Sequence, residues 1–119
     1  ALSLIRLVAP TTPPVRTARI ARDASGFIYL VSMTGVTGSH GLNTEAVSQV
    51  FKALKGVTGL PICVGFGIST PEQVADLAPF VDGVVVGSAF EQLIETHLND
   101  PQCIKKLRKK LQELKRATK

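Results

Sequence analysis

Apolar residues along the chain fall into short unbroken blocks, separated by stretches in which they recur at helical spacing. Residues 27–32 (Phe27-Ile28-Tyr29-Leu30-Val31-Ser32) and 60–66 are continuous apolar runs of strand length. Strands buried on both faces of a parallel sheet read this way. Residues 4–8 and 83–86 are shorter runs of the same kind. Between them, Val47, Val50, Phe51 and Leu54 sit at i, i+3, i+4 and i+7, one face of a helix. Asn43 or Thr44 caps that helix and Gly56 ends it. Thr12 before Pro13 and Pro14 predicts an earlier helix start, with Val15, Ala18, Ile20 and Ala21 toward the core and Gly26 as the stop. Thr70 with Gln73 forms a capping-box pattern around Pro71, and Ser88 with Glu91 another, opening a helix through Leu98. A last helix restarts at Asn99-Asp100-Pro101 and carries Ile104, Leu107, Leu111 and Leu114 on one face. The order is β-α four times plus a terminal helix, which predicts a parallel sheet with right-handed crossovers.

Three strands end on small residues: 27–32 running into Gly35-Val36-Thr37-Gly38, 62–66 ending on Gly67, and 84–86 ending on Gly87-Ser88. Small residues at strand ends, followed by bare N–H groups at helix starts, suit an anion. Gly65-Phe66-Gly67-Ile68-Ser69 fits a strand end whose Gly67 N–H approaches a phosphate, and equally a tight turn that needs glycine. Ser88 fits a helix cap or an anion ligand, roles that share the same free N–H groups. Two such ends on consecutive strands resemble the phosphate site of many (β/α)8 barrels. The glycine-rich loop after residue 32 has the length of a lid over substrate. His40 within it reads as an exposed loop histidine, and His97 as a residue that complements a helix C-terminus.

The bulk numbers narrow the class. The chain has 119 residues, 45% hydrophobic, enough for one domain. No apolar run approaches the ~20 residues of a membrane helix. Cys63 and Cys103 form neither a disulfide framework nor a metal site, which favours a reducing cytoplasm. The net charge of +5 is concentrated in the last helix, where residues 105–119 hold eight Lys/Arg against one acid. Its Ile/Leu stripe and lack of interleaved aromatics argue for a helix docked by one face with lysines in solvent, not for nucleic-acid binding. The sequence begins at Ala1 and reads as strand from Leu4, as a fragment or processed form would. The acids Asp23, Glu45, Glu72, Asp76, Glu91 and Glu95 fall in predicted helices, away from the strand ends where a barrel places catalytic carboxylates.

Four ordered blocks carry a resemblance: Leu7-Val8-Ala9-Pro10-Thr11-Thr12-Pro13, Gly26 to Ser32 with Gly35-Val36-Thr37-Gly38, Val64-Gly65-Phe66-Gly67-Ile68-Ser69-Thr70-Pro71-Glu72-Gln73-Val74, and Asp82-Gly83-Val84-Val85-Val86-Gly87-Ser88-Ala89. Together they resemble the tryptophan synthase alpha subunit, over residues 1 to about 98 and loosely in the last helix. The resemblance implies an α/β fold, the parallel (βα)4 half of a TIM (β/α)8 barrel spanning 1–119, with residues 101–119 as a basic helix packed on it. It implies that Gly38, Gly67, Gly87 and Ser88 bind the phosphate of indole-3-glycerol phosphate, while Tyr29 and Phe66 line the indole side. Thr37 would be the loop threonine that positions a catalytic aspartate. The family's glutamate and aspartate have no counterpart here, so no catalytic residue, metal or cofactor is assigned. A PLP-dependent beta subunit is the partner the family implies.

Two rival readings stand beside this one: a non-catalytic half-barrel that self-associates and at most binds phosphate, and another phosphate-binding barrel such as a thiamine-phosphate or histidine-pathway enzyme. Half a barrel leaves edge strands at 4–8 and 84–86 open. It is expected to bare a lumen face including Ile28, Leu30 and Val64, and to take a second copy or the missing N-terminal half as partner. Arg6, a charge within a strand, must reach the lumen, pair, or face a solvent edge.

Overall fold

The computed structural model describes residues 1–32 and 43–119. The elements are β1 (Arg6–Val8), α1 (Pro14–Asp23), β2 (Ile28–Val31), α2 (Thr44–Lys55), β3 (Ile62–Gly65), α3 (Pro71–Leu77), β4 (Gly83–Val84), α4 (Ser88–Thr96) and α5 (Cys103–Arg116). The four strands form one parallel sheet in the order β1-β2-β3-β4. Sequential neighbours in parallel register, each joined through a helix, make the repeating βα unit of a barrel wall. The wall is not closed: β1 and β4 are both edges. The radius of gyration is 15.6 Å, against about 13.5 Å for a compact chain of this length.

The sheet's two faces differ sharply. Val8, Ile28, Leu30, Ile62 and Val64 are buried beneath the helices, with Val47, Leu54, Val74, Leu77 and Leu114 above them. This corrects the expectation that Ile28, Leu30 and Val64 face the lumen. Alternation along each strand sends every second residue to one face, and the helix layer claims this set. Leu7, Tyr29, Cys63 and Gly83 lie side by side in register on the opposite face, followed by Val31 beside Gly65. Leu7 is 55% exposed there. Arg6 is exposed, because β1 is an edge strand with no neighbour beyond it among the described residues.

Helix boundaries follow local chemistry with three corrections. Asn43 Oδ1 accepts from Ala46 N at 3.1 Å and caps α2. Thr70 and Gln73 form the expected reciprocal box on α3. The cap of α1, however, is Pro13, because the Thr12 hydroxyl is drawn back to accept from Ala9 N at 3.1 Å. Thr17 and Ala21 are the residues α1 buries, while Val15 is 86% exposed. Ser88 is the first residue of α4, behind Gly87 as N-cap, so the Ser88/Glu91 box does not form and the helix ends at Thr96. Helix α5 lies against α3 and α4. It buries Leu114 but leaves Leu111 58% exposed.

At the N-terminal ends of the strands, Asp82 joins three elements. Its Oδ2 accepts from Ile62 N at 2.9 Å and pairs with Lys55 Nζ at 2.6 Å. The Lys55 bond, then the Ile62 N–H, hold its carboxyl below the usual value. A depressed folded pKa stabilises the protein above the unfolded value of about 4, and that stability is lost as pH falls through the folded pKa. The pair is about a third exposed, so its share is under about 1 kcal/mol. Asp82→Asn is expected to lower the melting temperature at pH 7, with the gap from wild type closing below about pH 4. A gap that stays constant across that range would refute the linkage.

Candidate functional site

The C-terminal ends of β2, β3 and β4 share one rim of the sheet. On the rim of β3, Gly65-Phe66-Gly67 makes a sharp turn: Phe66 has φ +73° and Gly67 φ +71°. Glycine adopts this region freely, whereas phenylalanine is strained in it. Gly65 is required for a different reason. A Cβ there would come within 2.5 Å of Tyr29 Cζ, because the tyrosine ring crosses directly over it. The Tyr29 and Phe66 rings then meet edge-on, centroids 5.8 Å apart at 72°. Tyr29 is half-buried and Phe66 is 54% exposed. The two rings form an apolar wall on the lumen side of the rim.

Beside them, β4 leads into Gly87 and α4. Gly87 and Ser88 are exposed, and among the described residues no side chain caps α4 and a Cβ at Gly87 would meet nothing within 4 Å. Phe90 N donates to Gly87 O at 2.9 Å, which leaves the N–H groups of Ser88 and Ala89 without an acceptor among the described residues, at a helix N-terminus whose dipole favours an anion. The start of α3 differs. Gln73 Oε1 accepts from Ser69 N at 2.8 Å and from Thr70 N at 3.2 Å, so the chain itself uses those donors. On β3, the backbone N–H groups that this box does not use are those around Gly67. No lysine or arginine falls within 65–68 or 87–90; a cation reaches in from α5, where Lys110 Nζ donates to Ser69 O at 2.5 Å, one residue before the N-cap of α3.

The structure brings Tyr29, Phe66, Gly67, Gly87 and Ser88 to the rim of three adjacent strands. Thr37 and Gly38 lie outside the described residues, as do His40 and the rest of the predicted lid. His97 sits at the C-terminal end of α4, with Nδ1 3.2 Å from Lys106 Nζ and 3.6 Å from Asp100 Oδ2, away from the rim. Among the described residues no group of His, Cys, Asp and Glu could hold a metal ion. Cys63 lies on the lumen face next to Gly83, and burial, aided by the Asp82 charge, pushes its thiol up. A thiol so held stays protonated at neutral pH and is a poor nucleophile.

One residue of the site escaped sequence reasoning. Ser32, at the end of β2, is buried, and its hydroxyl lies against the carbonyls of Gly65, at 2.6 Å, and Phe66. Its only signal in the sequence is a polar residue closing an otherwise apolar run.

The sequence profile of the family described as tryptophan synthase alpha chain matches residues 1–119. The tryptophan synthase alpha chain of Desulfatibacillum aliphaticivorans is 59% identical over 114 residues, covering 96% of this chain and 43% of its own length. That of Desulfosudis oleivorans is 54% identical over 117 residues, covering 98% and 44%. Among solved structures, a crystal structure of tryptophan synthase from M. tuberculosis superposes with TM-score 0.78 at 30% identity, over 99% of this chain and 41% of the other. A mutant tryptophan synthase alpha-subunit from Pyrococcus furiosus gives 0.73 at 32%, over 95% and 44%. The chain spans less than half the length of these relatives.

Proposed function

Because the chain belongs to the tryptophan synthase alpha chain family, we propose that it is the phosphate-binding half of a carbon–carbon lyase acting on indole-3-glycerol phosphate in tryptophan biosynthesis. The observation that carries this is the rim of β3 and β4, where two glycine-bearing ends lie beside an aromatic pair. Gly67, Gly87 and Ser88, with Gly38 from the loop, hold the phosphate through main-chain N–H groups and the open start of α4. Tyr29 and Phe66 cover the flat apolar indole.

The reaction proposed for the whole protein is a retro-aldol cleavage. The bond between the indole ring carbon and the glycerol chain breaks. The glycerol hydroxyl gives up its proton as the aldehyde of glyceraldehyde 3-phosphate forms, and the ring carbon takes one as indole leaves. Both transfers need positioned acid/base groups, and we assign these to the part of the barrel outside this chain. This chain's residues bind and orient: the phosphate at the rim fixes one end of the substrate and the ring wall the other. Thr37 would position the carboxylate supplied by the other half. That half covers the lumen face and both sheet edges, and a beta chain is the partner of the assembled alpha chain. No helix among the described residues is long and apolar enough to cross a membrane, and we place the enzyme in the cytoplasm with the small-molecule pathway it serves.

Gly87 offers the direct test. A Cβ there meets no atom of the described residues within 4 Å and Gly87 is exposed, so Gly87→Phe is expected to fold, with stability within about 0.5 kcal/mol of wild type. It would, however, occupy the anion's place. Glycerol 3-phosphate should raise the melting temperature of the wild-type chain and leave that of G87F unmoved. An unresponsive wild type, or a variant that still responds, would refute the assignment.

A further inference from the structure

The turn that presents Phe66 and Gly67 is held by a side chain from the neighbouring strand. Phe66 has φ +73°, a conformation that costs a non-glycine residue on the order of 1–3 kcal/mol. Its own side chain does little to offset this: the ring is 54% exposed and touches Tyr29 edge-on. The compensating contacts lie on the backbone. Ser32 N donates to Gly65 O at 2.9 Å, extending the β2–β3 ladder. Ser32 Oγ donates to Gly65 O at 2.6 Å and reaches Phe66 O as well. Ser32 is 4% exposed and Gly65 is buried, so water does not compete for the Gly65 carbonyl.

We infer that Ser32 is a positioning residue for substrate, its hydroxyl donating to the Gly65 carbonyl and packing against that of Phe66 so that Phe66 keeps its left-handed conformation, the ring faces Tyr29 and Gly67 stands at the rim. The inference rests on the phosphate-binding reading of that rim. Its chemistry is specific to a hydroxyl. Alanine at 32 keeps the ladder N–H but removes the donor, leaving a strained residue free to relax toward an extended conformation. Once Phe66 turns, the direction of the Gly67 N–H changes with it, and so does the aromatic wall. Strain held at a ligand-facing turn by a buried partner is a means of pre-organisation.

The test uses the isotope-labelled 119-residue chain as wild type, Ser32→Ala and Ser32→Thr. The readouts are the intraresidue HN–Hα NOE of Phe66, strong only at positive φ, and affinity for glycerol 3-phosphate. S32A should lose the strong NOE and bind glycerol 3-phosphate about tenfold more weakly, the scale of one lost hydrogen bond. S32T, which keeps a hydroxyl, should retain both. If S32A merely melts earlier, with NOE and affinity as in wild type, Ser32 is structural only and the inference is overturned. A wild type that binds no glycerol 3-phosphate sinks the phosphate reading separately, and the NOE comparison still decides whether Ser32 sets the turn. If S32A does not fold, adding Phe66→Gly should restore folding, because glycine adopts this φ without strain. A double variant that stays unfolded counts against the inference.

Discussion

Incubated with indole-3-glycerol phosphate, the purified 119-residue chain is expected to release no indole above a heat-killed control. All nine carboxylates are accounted for by position. Glu45, Glu72, Asp76, Glu91, Glu95 and Glu113 lie within helices, and Asp23 ends one. Asp82 stands at the N-terminal end of β4, occupied by Lys55 and the Ile62 N–H, at the opposite end of the sheet from the rim. Asp100 lies between α4 and α5, with Lys106 at 2.8 Å. None is at the C-terminal end of a strand, where this architecture does its chemistry. A positioned acid or base contributes ~10²–10⁴-fold, and the proposed cleavage needs proton transfers at two places. Binding without turnover is therefore the expected behaviour. Indole release that survives stringent repurification would overturn this and would implicate a group assigned here to structure.

Sedimentation of the same chain at micromolar concentration should show a folded species larger than the 12.7 kDa monomer. The reason is the unfinished wall. Both β1 and β4 are edges, with backbone donors and acceptors unpaired on their outer sides. The lumen face exposes Leu7, and Val15 of α1 and Leu111 of α5 stand uncovered on the two flanks. A cavity of about 700 Å³ lies between β4 and α5, lined by Val84, Val86, Phe90 and Leu111 among others. Two copies about a two-fold axis can set each β4 against the partner's β1, covering both edges and both flanks in one closed assembly. That closure also brings α1, with Arg16, Arg19 and Arg22, beside the lysine-rich α5, so added salt should tighten it. A stable, folded 12.7 kDa species would refute self-association.

Legibility differed by the range of the forces involved. The α2 stripe and the Thr70–Gln73 box were readable because each is decided within one or two helical turns. The glycines of the rim were readable as turn residues, but not the reason for Gly65, which is the tyrosine ring of another strand. Thr12 and Ser88 misled as caps. The Thr12 hydroxyl is taken by Ala9 N, and α4 starts one residue earlier than the pattern suggests, on the Gly87 carbonyl that accepts from Phe90 N and Glu91 N.

The sequence by itself determined the βα alternation, the parallel sheet, the family and the glycine-marked strand ends. These follow from periodicity and from residues whose backbone preferences are intrinsic. Only the tertiary structure decided which face of each strand is buried. A continuous apolar run carries no alternation, so Ile28, Leu30 and Val64 could not be told from Tyr29, Val31 and Cys63 until the helices covered one set. It alone decided that Ser32 crosses to the β3 turn and that Phe66 takes a positive φ. Contacts between residues more than thirty positions apart have no local signature. They exist because parallel pairing sets the ends of β2 and β3 side by side.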